Sequence, residues 1–128
     1  MASNARAQVL CVDDNEDECD LVIEVLNEFD VTCVPTIAAA RHRLENHRYA
    51  LIVLDEHLPD GSGLSFCSEL GRSGIGTPVI IISGDSFLTC SAADNAGART
   101  FIAKSTPSYI DDLHQAAQQF AHSASAGR

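Results

Sequence analysis

The stretch VLCVDDNEDE, residues 9–18, decides how the rest of the chain is read. Four apolar residues, Val9 to Val12, run straight into two adjacent aspartates, Asp13 and Asp14. Three more acids follow at Glu16, Asp17 and Glu18. An unbroken apolar run of this length, with no polar alternate face, reads as a strand buried on both sides. Carboxylates crowded at its end repel one another, and burial adds to the cost of charging them. A positive partner is therefore required from elsewhere in the chain.

Working outward, strand and helix signals alternate. After the strand QVLCV, the segment DECDLVIEVLNEF carries Cys19, Val22, Ile23 and Leu26 at helical spacing, with acids on the other face. VTCV is short and largely β-branched, and Pro35 ends it. AAARHRLENH is a helix former. YALIVLD is a strand closing on Asp55, and GLSFCSELGR is a short helix ended by Gly71 or Gly74. TPVIIIS is the most apolar strand. FLTCSAADNAG is a weak helix closed by Gly97, TFIAK a strand, and SYIDDLHQAAQQFAH a final amphipathic helix. Five strand–helix units imply a parallel sheet with right-handed crossovers, covered by helices on both faces.

In such sheets ligands sit at the carboxyl ends of the strands. The first strand ends in Asp13 and Asp14, the third in Asp55, the fourth in Ser83 and Gly84, the fifth in Lys104. The second, ending in Pro35 and Thr36, is the exception and fits an edge position. One edge of one sheet thus collects three carboxylates, a hydroxyl and an ammonium.

Composition bounds the remaining possibilities. The 128 residues fit one domain, with a core from about residue 8 to 122 and flexible ends at 1–7 and 123–128. No apolar run approaches the ~18 residues a membrane span needs, and no signal-peptide pattern is present. A net charge of −10 argues against direct nucleic-acid binding. The five cysteines, at 11, 19, 33, 67 and 90, are odd in number and include no CxxC pair, so neither zinc nor a disulfide framework is expected. Cys11 and Cys33 read as small buried thiols, and the usage fits a reducing, cytoplasmic compartment. His42, His47, His114 and His122 have no metal spacing and read as surface residues on helices.

The pieces VDDN, LDEHLPDGSG, IISG and GARTFIAK, in this order and joined by the strand–helix rhythm, resemble the receiver domain of two-component response regulators. The resemblance covers about Val9 to Phe120. It implies an α/β, flavodoxin-like, three-layer fold: a five-stranded parallel sheet of order 2-1-3-4-5 with five helices. It implies a domain that takes a phosphoryl group from a phosphohistidine onto Asp55. The donor would be a sensor histidine kinase or a histidine phosphotransfer protein, and an output domain or effector would read the result. Such a domain is not an enzyme acting on other molecules. Mg²⁺ would be held by Asp13, Asp14, Asp55 and the backbone carbonyl of His57, as suits a hard cation with oxygen ligands. Lys104 and Ser83 would engage the phosphoryl group, with Ser83, Phe101 and the fourth helix as the switch. The side chains of His57 and Asp85 would rim the path of hydrolytic water.

Three departures from that pattern stand out. Serine replaces the frequent threonine at Ser83, keeping the hydroxyl. The family lysine is usually followed by a proline through a cis bond; here KSTP places Pro107 three residues on, so either a costly cis bond precedes Ser105 or the loop differs. Arg99 and Thr100 replace the usual acid before the fifth-strand aromatic. Two other readings compete. A receiver reduced to a protein-interaction module is at odds with the intact Asp13, Asp14, Asp55, Ser83 and Lys104. A Mg²⁺-dependent aspartyl-phosphate phosphatase would want D-x-D after the first strand, where this chain has adjacent aspartates.

Overall fold

The computed structural model describes residues 6–84 and 90–126, with the side chains of 90–91 and 122–126 excepted. In chain order the elements are β1 (Gln8–Val12), α1 (Glu16–Val25), β2 (Asp30–Val34), α2 (Ile37–Asn46), β3 (Leu51–Asp55), β4 (His57–Leu58), β5 (Gly61–Ser62), α3 (Gly63–Arg72), β6 (Val79–Ser83), α4 (Cys90–Asn95), β7 (Thr100–Ala103) and α5 (Tyr109–Ala126). Five strands form one sheet in the order β2-β1-β3-β6-β7, every pairing parallel. This is the expected 2-1-3-4-5 order. The antiparallel ribbon β4–β5 between β3 and α3 was not anticipated.

Alternation along the strands builds two cores. Leu10, Val12, Ile52, Leu54 and Ile81 face one way, against Ile37 and Ala40 of α2 and Phe66 and Leu70 of α3. Val9, Cys11, Leu51, Val53, Ile80 and Ile82 face the other, against Val22 of α1 and Leu113, Ala117 and Ala121 of α5. The three central strands are thus apolar on both faces because helices cover both. The chain is a three-layer flavodoxin-like α/β fold.

Helix ends explain several polar residues. Asn15 caps α1, its side chain accepting from the Glu18 N–H at 3.0 Å. Glu16, Asp17 and Glu18 occupy the first turn, where acids complement the helix dipole. Asp60, in the β4–β5 turn, accepts from the N–H groups of Ile37 and Ala38 at 2.9 and 3.0 Å, tying that turn to the start of α2. Those two backbone donors hold the Asp60 carboxyl below its ordinary value. Glu56 ties down the start of α3, accepting from Leu64 N–H at 2.8 Å and from the Ser62 hydroxyl at 3.0 Å.

Some boundaries differ from expectation. α1 stops at Val25, where Leu26 caps it, rather than running to Phe29. Gly71 lies inside α3, and Gly74 at φ +80° follows its end. α5 reaches Ala126, into the stretch expected to be tail. Of the weak fourth helix, only Cys90–Asn95 falls among the described residues. There is no cis peptide bond among those residues, so of the two alternatives for KSTP the loop is the one that differs. Thr106 N–H bonds to Ala103 O at 3.2 Å and Tyr109 N–H to Thr106 O at 3.0 Å, carrying the chain from β7 into α5. Cys33 is half-buried rather than buried.

Candidate functional site

The register of the sheet brings the strand ends together. Val12 pairs with Leu54, so the next residues, Asp13 and Asp55, lie side by side at the carboxyl edge. Ser83 pairs with Ala103, and the Lys104 N–H bonds back to Ser83 O at 2.8 Å. Carboxylate oxygens of Asp13, Asp14 and Asp55 lie within 4.8 Å of one another. Asp13 is 1% and Asp55 6% exposed, whereas Asp14 faces solvent. Asn15 N–H bonds to Asp13 Oδ1 at 3.0 Å and fixes that carboxylate.

Lys104 supplies the positive charge that residues 9–18 require. Its Nζ lies 3.3 Å from Asp13 Oδ2, 3.5 Å from Asp55 Oδ1 and 3.8 Å from Glu18 Oε1. Burial pulls the ammonium down, but Asp55, Asp13 and Glu18 together outweigh it, and its pKa ends above the ordinary value. One cation among four acids does not balance them. Burial first, and then the Asp13 carboxylate, push Asp55 up to about 6, against the pull of Lys104 and a backbone hydrogen bond from His57. The site therefore has room, in charge and in oxygen donors, for a further cation. A hard divalent ion such as Mg²⁺ matches an all-oxygen, carboxylate-rich set.

Ser83 is fully buried at the end of β6. Phe101 is half-buried against the α2–α3 core and also lines a groove of about 470 Å³ along β7 and α5. The His57 side chain is exposed on β4. Asp85 lies outside the described residues. Two participants escaped sequence reasoning. Glu18 looked like one more first-turn acid, yet it is half-buried and touches Lys104. The Tyr109 hydroxyl donates to Glu18 Oε1 at 3.3 Å, and burial followed by that acid raises the phenol well above its ordinary value. The contacts of Glu18 with Lys104 and Tyr109 each span 80 or more residues, so no local pattern marks them.

Gly63 fits the site closely. A Cβ there would lie 2.4 Å from the Asp55 carbonyl oxygen and 3.0 Å from Glu56 Cα. Glycine thus lets α3 begin directly beneath the end of β3, with Gly63 N–H bonded to Glu56 O at 2.9 Å. A roomier cavity of about 610 Å³ sits at the opposite end of the strands, lined by Tyr49, Pro78 and Arg99 among others. It holds no cluster of acids, and volume alone does not outweigh the charge gathered at the carboxyl edge.

Comparison with known proteins identifies the family. Residues 9–118 match the family model described as the response regulator receiver domain. The transcriptional regulatory protein TctD of Salmonella typhimurium is 31% identical over 109 residues, covering 83% of this chain and 48% of that protein. BasR of Escherichia coli, also a transcriptional regulatory protein, is 34% identical over 82 residues, 63% of this chain and 36% of BasR. This chain therefore spans about half or less of these relatives. Among solved structures, the receiver domain of a putative Luxo repressor protein from Vibrio parahaemolyticus superposes with a TM-score of 0.85 at 26% identity, covering 95% of each chain. NtrX from Brucella abortus superposes at 0.82 and 26% identity, covering 96% of this chain and 28% of NtrX.

Proposed function

The chain belongs to the response regulator receiver domain family, and from that premise we propose that it accepts a phosphoryl group on Asp55 and signals by changing shape. The donor is the phosphohistidine of a sensor histidine kinase or a histidine phosphotransfer protein. The observation that carries this reading is Lys104 Nζ held 3.3–3.5 Å from the Asp13 and Asp55 carboxylates at the carboxyl edge of the sheet.

An Asp55 oxygen attacks phosphorus, the bond from phosphorus to the histidine nitrogen breaks, and an acyl phosphate forms on Asp55. The transition state is loose, so positioning and charge neutralisation matter more than acid–base work. Mg²⁺, held by Asp13, Asp14, Asp55 and the His57 carbonyl, would neutralise charge on the phosphoryl oxygens. Lys104 turns from the carboxylates to a phosphoryl oxygen, and the Ser83 hydroxyl donates to another. Phe101 and the segment beginning near α4 pass the change outward to an output domain or effector. The rim residues His57 and Asp85 set how fast water removes the group, since each can hydrogen-bond it.

The test is intact-mass spectrometry after exposure to a small phosphodonor, with Mg²⁺ or with EDTA. One added phosphoryl group should appear with Mg²⁺, disappear with EDTA and be absent from Asp55→Asn. A phosphate mapped to another residue, or one that survives Asp55→Asn, sinks the reading.

A further inference from the structure

A second cluster of ligating side chains lies one strand-step behind the acidic site. Cys11 on β1 and Cys33 on β2 are register partners on neighbouring parallel strands, so both side chains emerge on the same face about 4.8 Å apart at the backbone. α1 lies over that face and brings Cys19 close to both. The three sulfurs lie within 4.8 Å of one another. Cys19 Sγ–H donates to the Asp13 carbonyl oxygen at 3.3 Å, and Cys33 Sγ–H to the Cys19 carbonyl oxygen at 3.9 Å. Cys11 is fully buried, whereas Cys19 and Cys33 are half-buried, which leaves an approach from the α1–β2 side.

We infer that Cys11, Cys19 and Cys33 form a site for a soft, thiophilic divalent ion of the Zn²⁺ and Cd²⁺ class. Three sulfurs bound at ~2.3 Å to one tetrahedral ion sit about 3.8 Å apart. The thiols therefore need to close by no more than about 1 Å, within the reach of χ1 rotation. Thiolates select soft ions, while the carboxylates two residues away select hard ones, so the two sites do not compete for the same metal. The ion replaces three S–H protons, which pass to solvent, and a water completes the tetrahedron. A disulfide would need two sulfurs at ~2.05 Å and an oxidant, and would leave the third thiol without a role. Sequence spacing hides this site because its members are separated by 8 and 14 residues and belong to three elements.

The experiment uses the whole chain, reduced and stripped of metal, titrated with Cd²⁺ in a large excess of Mg²⁺. Expected is a thiolate-to-metal ultraviolet band saturating at one equivalent, with release of protons to an indicator dye. Cys19→Ser and Cys33→Ser, at half-buried positions, should each weaken binding about 10-fold or more, since even an outer-shell partner costs a metal site that much. Circular dichroism without metal shows whether each variant is folded. Asp55→Asn, Cys67→Ala and Cys90→Ser should bind Cd²⁺ like the parent. The inference fails if no band forms, if the band survives in Cys19→Ser and Cys33→Ser, or if it is lost in Asp55→Asn.

Discussion

Replacing Asp55 by asparagine should make the metal-free protein more stable while removing its function. Burial and the Asp13 carboxylate raise Asp55 to about 6 in the folded chain, against ~3.9 in an unfolded one. Below about pH 4 the carboxyl is protonated in both states and imposes no penalty. As pH rises from ~4 through ~6 the unfolded chain ionises first, so stability conferred by the protonated form is progressively lost. Above that window the folded state carries the whole cost of a buried, crowded carboxylate. A gap of about two units corresponds to ~3 kcal/mol. Asparagine keeps the shape and discards the charge. In EDTA near pH 7.5, Asp55→Asn should therefore gain ~3 kcal/mol, or roughly 10 °C in Tm for a domain of this size. The gain should shrink to nearly nothing near pH 4. Urea unfolding of both proteins, followed by far-ultraviolet circular dichroism across about pH 4–8, measures the difference, and titrations common to both cancel. Mg²⁺ should then stabilise the wild type more than the variant, by mass action on the intact carboxylate set. A stability difference independent of pH, or a variant weaker than the wild type near pH 7.5, would refute the electrostatic account of the site.

Three further outcomes follow from the same geometry. Gly63→Ala places a methyl group against backbone on the Asp55 side and should cost ~2 kcal/mol or more while slowing phosphorylation of Asp55. Gly71→Ala, which meets nothing within 4 Å inside α3, should instead gain ~0.5–1 kcal/mol, and equal urea midpoints for the two variants would contradict the fit. Lys104→Ala leaves Asp13, Asp55 and Glu18 without their cation. It should lose ~2–4 kcal/mol in EDTA, recover much of that with Mg²⁺, and no longer couple phosphorylation to a conformational change; retention of that coupling, seen by hydrogen exchange, argues against its role. Amide exchange should also find α4 less protected than α1 and α5, because Ser91, Asp94 and Asn95 within it are weak helix formers; uniform protection across the helices would contradict this.

The sheet and most of the site were legible because both rest on short-range signals. Apolar runs mark β1, β3 and β6, and a polar residue at the end of each marks the edge where ligands gather. That put Asp13, Asp55, Ser83 and Lys104 on one edge of one sheet, and the strand order implied by the family resemblance set them side by side. What escaped depends on pairings that no window of sequence contains. Glu18 is one of three consecutive acids, and only the crossover of β7 beside β6 tells it from Asp17. Gly63 reads as an ordinary helix start until β3 is laid over it. The nearness of Cys11, Cys19 and Cys33 is of the same kind, since CxxC spacing tests for ligands on one loop and says nothing of residues on paired strands. Helix ends were misjudged where caps override periodicity, as at Leu26, whose apolar side chain continues the helical pattern although the backbone has left it.

These residues also explain why the β1–α1 junction carries so much of the molecule's chemistry. Only Asp13, Asp14 and Asn15 join β1 to α1, and so short a turn presents consecutive residues in different directions. Asp13 faces the sheet edge, Asn15 closes the helix, Glu18 reaches Lys104 and Tyr109, and Cys19 turns back to the sulfurs of β1 and β2. Glu18 and Cys19 are adjacent on α1, about 100° apart around its axis. A shift of α1 toward the sheet would move both at once. Lys104 is already shared among Asp13, Asp55 and Glu18, so whatever draws Glu18 away alters the charge felt at Asp55. The acids in VLCVDDNEDE are thus not redundant: Asp13 and Asp14 belong to the site, Glu16 and Asp17 complement the dipole in the first turn of α1, and Glu18 links that helix to Lys104 at the end of β7.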